Sequence, residues 1–211
     1  RWLHGPGAWL ALNLGGIANL AVWDGRSTRA WDTGPGMSLL DLAARQWLDL
    51  PFDPEGAHAT GSIVAPLVAR WLAHPYFQAP PPKSTGREVF GAAWFERERS
   101  SLELLPLPDR LATLAAFTAT TVALEANRTK PWPGDLRALV SGGGARHRRL
   151  RVELAERLHL PLEDDHAFPS GAREAVSWAL LGAASAMGLP GHLPEVTGAS
   201  GSRVLGSWVW P

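Results

Sequence analysis

Cysteine is absent from the 211 residues, tyrosine occurs once and methionine twice. Without thiols the chain can hold no disulfide and no thiolate metal site, which fits a reducing compartment and leads us to expect a cytoplasmic protein. An excess of one charge is also missing, since 20 basic residues balance 20 acidic ones. No net field draws the chain to nucleic acid or to an anionic membrane, so neither is expected as a partner. Long apolar runs are missing too. Two stretches, 3–23 and 175–194, lack full charges, but glycines such as Gly5, Gly15 and Gly16 break the first, and Gly188 and Pro190 end the second. Neither reads as a membrane span. Lysine is scarce: only Lys83 and Lys130 stand among the 20 basic residues, which draws notice to Lys83 in its proline-rich loop. The histidines show no metal-ligand spacing, and no metal site is expected within the chain.

What is present is ordinary globular composition, 45% hydrophobic and 19% charged, at a length that suits one large domain or two small ones. Residues 8–16 and 17–25 are apolar and strand-length, and the second ends in Asp24-Gly25, a hairpin signal. Residues 26–36 read as a third strand running into a tight loop, giving a three-strand antiparallel start. Leu39, Leu40, Ala43, Trp47 and Leu48 predict a helix over 38–50. Residues 51–110 read as an irregular insertion, with a proline-rich loop at 78–88. A long helix at 108–128, a buried strand at 135–144, a helix at 146–160, a short strand at 160–164, a helix at 170–188 and a turn-rich tail complete the order. Strands with helices packed on them form an α/β layer architecture. In such sheets ligands sit at the C-terminal ends of strands.

Three glycine clusters fall at such ends. Gly142, Gly143 and Gly144 separate a strand from a helix, whose first amides are free donors at the positive end of the dipole. A phosphate or nucleotide is the natural guest, and a bare strand–helix turn is the plainer reading. Gly15 and Gly16, within "NLGGIAN", hinge two strands into a loop whose amides can grip phosphate oxygens. Gly34 and Gly36 follow Asp32 in "DTGPG". Asp32 presents a carboxylate at a strand end, or caps its own loop. Lys83, Arg87 and Glu88 ride the proline-stiffened loop, either towards a cleft or as solvated charge.

This layout resembles the second lobe of the actin, sugar-kinase and heat-shock ATPase superfamily, a ribonuclease H-like α/β lobe with a mixed sheet. "LNLGGIANL", "DTGPG" with "LLD", "PPKSTGRE", "DRLATL" with "FTATTVA", "GGGA", "EA" at 174–175 and "VTGA" with "VLG" occur in one order. Together they resemble the C-terminal part of anhydro-N-acetylmuramic acid kinase, from about Leu10 to Trp210. The resemblance implies ATP, with Mg2+ bound alongside it, and opening and phosphorylation of 1,6-anhydro-N-acetylmuramic acid in cell-wall recycling. It implies a nucleotide site at Asn13, Gly15, Gly16, Gly34, Gly36, Gly142, Gly143, Gly144 and His147. It places Asp32, Lys83, Arg87 and Glu174 towards the sugar. No catalytic residue is expected in this chain, because the family's phosphate loop and catalytic aspartate lie in an N-terminal lobe not found before Arg1. Residues 1–211 therefore read as one lobe of a two-lobe enzyme, inactive by itself, with a homodimer as a further expectation. Two positions depart from the family pattern, Met37 and His147, where the family has Asn. A non-catalytic nucleotide-binding or assembly module of the same superfamily is the alternative, and an inactive remnant a third reading.

Overall fold

A computed structural model describes residues 7–166 and 172–209, apart from the Arg173 side chain. Strands β1 (Trp9–Leu14), β2 (Ile17–Trp23) and β3 (Thr28–Pro35) form an antiparallel meander. β4 (Arg137–Ser141) joins β1 in parallel, and β5 (Leu162–Asp164) joins β4 in parallel. The order β3-β2-β1-β4-β5 is the mixed sheet expected of a ribonuclease H-like lobe. Alternation sets its faces. Leu10, Leu12 and Leu14 of β1 and Leu20 and Val22 of β2 are at most 1% exposed and form the core face. Trp9, Ala11 and Asn13 point to the other side.

Helix α5 (Leu107–Asn127) is the spine of the molecule. Its first half, through Leu111, Leu114 and Phe117, packs into an aromatic cluster with Phe77, Phe90 and Trp94. Its second half, through Val122 and Ala126, packs on the leucine face of the sheet with α6 (Arg148–Leu158). α1 (Ser38–Leu48) lies against the aromatic cluster.

Residues 51–110 are not irregular. They contain α2 (Ala65–Leu72), α3 (Pro75–Gln78) and α4 (Ala92–Glu103), which supply Trp71, Phe77, Trp94 and Phe95 to that cluster. Prolines at the starts of α2 and α3 sit in the first turn, where a missing amide costs nothing. The expected helix at 170–188 is α7 (Arg173–Ala186), with Gly188 just beyond it at φ +68°. A short α8 (Pro194–Thr197) interrupts the turn-rich tail. Trp208 is 56% exposed, and Trp210 lies outside the described residues.

Candidate nucleotide edge

β1 and β4 run in parallel, so the turns that follow them lie at the same edge of the sheet. The third glycine cluster folds onto that edge. The Gly16 carbonyl accepts from the amides of Gly36 and Ser38, each at 3.0 Å, and the Gly15 carbonyl accepts from Met37 at 2.7 Å. Two glycines make this convergence possible. A Cβ at Gly36 would stand 2.1 Å from the Gly15 carbonyl oxygen. Gly142 has φ +83°, and a Cβ there would stand 2.8 Å from both the Leu14 carbonyl and Asn13 Oδ1. Gly144 is buried against Leu14 and the Met37 sulfur. Gly143 differs from all of these: it is exposed, has ordinary φ, and faces open space. It begins a short 3₁₀ turn, Gly143–Arg146, that leads into α6.

Strand register adds a row of polar side chains beside the turns. Ser141 pairs with Asn13, Asn13 with Asn19, and Asn19 with Asp32, so all four share the sheet face opposite the leucines. Asn13 and Asn19 are half-buried, and their side-chain amides make no hydrogen bond within the described residues. The sequence reading found Asn13 and Asp32 and missed Asn19 and Ser141. A signal for Asn19 was available. In "NLGGIAN" the two asparagines are equally far from Gly16, which is how residues pair across a hairpin.

Asp32 does not cap its own loop. Its Oδ2 accepts from Ser84 Oγ at 2.7 Å and from the Thr85 amide at 3.0 Å, and its backbone amide donates to the Lys83 carbonyl at 3.2 Å. Lys83 is not presented to solvent. Its side chain is 6% exposed, with Nζ 2.8 Å from Glu125 Oε1 and 2.9 Å from the Tyr76 carbonyl. Tyr76 donates to the Asp32 carbonyl at 2.6 Å. Burial, with Asp32 and Glu125 nearby, holds the Tyr76 hydroxyl well above the usual phenol range.

Arg87 and Glu88 are the exposed charges of this loop. A Cβ at Gly16 would lie 2.8 Å from Arg87 Nη2 and 3.1 Å from its Nε, so the guanidinium covers the Gly16 backbone. Arg87 makes no hydrogen bond or ion pair among the described residues. Nearby, burial raises the Asp41 carboxyl, and Arg45 and Arg87 oppose that shift.

The remaining expected residues stand elsewhere. Gly34, at φ +135°, packs on Phe77. His147 is 2% exposed and caps α6, with Nδ1 accepting from the Leu150 amide at 3.2 Å. Its other ring nitrogen is buried without a hydrogen-bond partner among the described residues, and burial lowers its pKa. A basic run, "ARHRR", gave no hint of that burial. Glu174 is exposed in the first turn of α7 and makes no hydrogen bond or ion pair among the described residues. The structure thus brings together Asn13, Gly15, Gly16, Gly36, Gly142, Gly143, Gly144, Asp32 and Arg87, with Lys83 behind them, and makes no hydrogen bond or ion pair between Glu174 and the group among the described residues. Met37, the residue before α1, gives no side-chain cap, and its sulfur lies in the space beneath Gly144.

The family model for anhydro-N-acetylmuramic acid kinase matches residues 4–211. The chain belongs to that family. Curated anhydro-N-acetylmuramic acid kinases agree: the protein from Acaryochloris marina (strain MBIC 11017) is 40% identical over 92% of this chain and 55% of its own. That from Bordetella petrii is 43% identical over 93% of this chain and 53% of its own. The chain thus spans about half the length of the curated relatives it matches. The fold is also that of the activator of the 2-hydroxyisocaproyl-CoA dehydratase from Clostridium difficile, solved with bound ADPNP, at TM-score 0.50 and 15% identity over 76% of this chain and 55% of that one. Among the described residues no helix is long and apolar enough to cross a membrane.

Proposed function

We propose that this chain supplies the nucleotide-binding lobe of an ATP-dependent kinase for 1,6-anhydro-N-acetylmuramic acid, acting in cytoplasmic cell-wall recycling. Family membership supports the reaction. The observation that carries the site is the meeting of three glycine turns at one sheet edge, with Gly143 open and Arg87 above Gly16. Backbone amides and a guanidinium suit phosphate oxygens. In this reading Gly142–Gly144 border the nucleotide, and Gly15–Gly16 face its phosphates. Asn13, Asn19 and Ser141 offer neutral polar groups beside them.

The reaction adds water to the anomeric carbon, whose bond to O6 breaks, while O6 takes the γ-phosphoryl group and ADP leaves. The carboxylate that takes the water's proton is assigned to the second lobe of the complete enzyme, not to this chain. Mg2+ would come with the phosphates: among the described residues no group of three acidic or histidine side chains could hold an ion. Exposed Trp178 and Leu180 on α7 offer apolar surface for the second lobe or a second copy. His147 serves the site as the cap of the helix behind the glycine turn, and Glu174 reaches the sugar only if the second lobe brings it there.

The test is phosphorylation of 1,6-anhydro-N-acetylmuramic acid by the intact protein that carries this chain. Appearance of the 6-phosphate with ATP, and its slower formation at limiting ATP in the Gly143→Val variant, is the expected result. ATP binding without any transfer to the sugar would favour the non-catalytic module instead.

A further inference from the structure

A buried charge cluster lies behind the candidate nucleotide edge, on α5. Glu125 is 0% exposed. Its Oε1 meets Lys83 Nζ at 2.8 Å, and its Oε2 accepts from Trp31 Nε1 at 2.9 Å and stands 3.3 Å from Arg128 Nε. A buried ion pair is a poor source of stability, since apolar residues of similar size often serve as well. Its value lies in geometry. Here the pair fixes one end of the 81–88 loop: Lys83 is held by Glu125 and the Tyr76 carbonyl, with its Nζ 4.5 Å from the Tyr76 ring centre. Ser84 and Thr85 are held by Asp32. Arg87 comes next, with no hydrogen bond or ion pair among the described residues and only the Asp41 charge acting on it nearby, and lies over Gly16.

The same face of α5 supports the other side of the edge. Thr118 donates to the Gly36 carbonyl at 2.9 Å, and Thr121 and Glu125 follow at helical spacing. One helix face thus holds both the glycine turn and the loop that covers it.

We propose that Glu125 is a positioning residue, acting through Lys83 to hold the Arg87 guanidinium over the Gly15–Gly16 turn, where it meets the nucleotide phosphates. The inference rests on the phosphate reading of that turn. Arg87 suits the task because its planar fork can bind two phosphate oxygens at once, and a fork must be aimed. Lys83 does not touch the ligand; it aims the residue that does.

The experiment is a double-mutant cycle on the KM for ATP in the intact protein, using Glu125→Gln, Arg87→Ala and their combination. Arg87→Ala should raise the KM for ATP about tenfold, the loss of one charged hydrogen-bonding partner. Glu125→Gln should raise it about fivefold by the same route, with kcat little changed. The combination should be no worse than Arg87→Ala alone, because both changes remove one contact. Multiplying effects would mean that Glu125 acts by general stability, and would overturn the proposal. So would an unchanged KM in Glu125→Gln while Arg87→Ala is impaired. An unchanged KM in Arg87→Ala would instead defeat the phosphate reading, and this inference with it. Should Glu125→Gln not fold, Lys83→Met/Glu125→Leu removes both charges together. It should fold and show a raised KM that Arg87→Ala does not worsen; a wild-type KM in it overturns the proposal.

Discussion

The candidate nucleotide edge has two walls built by different physics. The glycine wall is held by backbone: carbonyls of Gly15 and Gly16 receive the amides of 36–38, and Gly36 approaches too closely for any side chain. The loop wall, 81–88, is held by side-chain charge through Asp32, Lys83 and Glu125. A backbone wall fixes shape and leaves amides free for a ligand. A charge-held wall fixes where a cation stands. The difference predicts how each fails. Removing a charge from the loop wall leaves its buried partner uncompensated, whereas adding a methyl to the glycine wall forces two turns apart.

The largest effect should come from the loop wall. Glu125→Leu leaves Lys83 buried without a counter-charge and should cost about 3–5 kcal/mol in denaturant unfolding. Adding Lys83→Met to it should recover most of that loss, since the two sites share one interaction. Failure of the second change to recover stability would make the loop wall a packing feature. Next, Gly36→Ala should cost about 3 kcal/mol, the upper end of the overpacking range, because the atom in the way is backbone. A stability close to wild type would show that the hairpin yields and that the glycine wall is soft.

The third effect is smaller and depends on pH. Burial lowers the His147 pKa, against a rise from Asp53, so the folded state favours the neutral ring. That contribution is present in full above the unfolded pKa of about 6.5 and fades as pH falls towards the lower folded value. Protonation also removes the acceptor that caps α6. His147→Asn, which can cap without titrating, should keep neutral-pH stability and weaken the acid-side loss. His147→Ala should cost about 1 kcal/mol at neutral pH through the lost cap. Chemical unfolding between pH 5 and 8 reads both, and identical pH profiles for wild type and His147→Asn would rule out His147 as the source. Burial lowers the His74 pKa as well, so part of the slope should remain in any His147 variant.

The two walls were unequally legible in the sequence. The glycine wall could be read because it is local. "LALNLGG" alternates leucines for the core face, Asp24-Gly25 closes the second hairpin, and glycine runs mark strand ends. The loop wall could not be read, because its partners are remote. Lys83 and Glu125 stand 42 residues apart, and Asp32 lies 52 residues before Ser84. The sequence showed an isolated lysine in a stiff loop and suggested exposure; the fold buries it. The same limit hid α2, α3 and α4. α2 and α3 are short and carry a proline in the first turn, and aromatics obscure the period of α4, while Trp71, Phe77 and Trp94 come together only in the folded cluster around α5. His147 and Glu174 mark a second limit: a motif position identifies a residue without saying whether it is buried or exposed.

The smallest effect on stability belongs to Gly143, and it gives the sharpest test. Gly143 needs no special φ and nothing lies within 4 Å of a Cβ there. Gly134 is equally open but precedes β4, at the far end of the same strand. Both Gly143→Val and Gly134→Val should therefore unfold within about 0.5 kcal/mol of wild type. The deciding measurement is the ATP dissociation constant of the intact protein with each change. If the glycine turns are the nucleotide edge, Gly143→Val binds ATP about tenfold more weakly, a loss near 1.4 kcal/mol, while Gly134→Val binds as wild type does. Equal affinity in all three proteins would contradict that assignment and leave the glycines as turn chemistry alone.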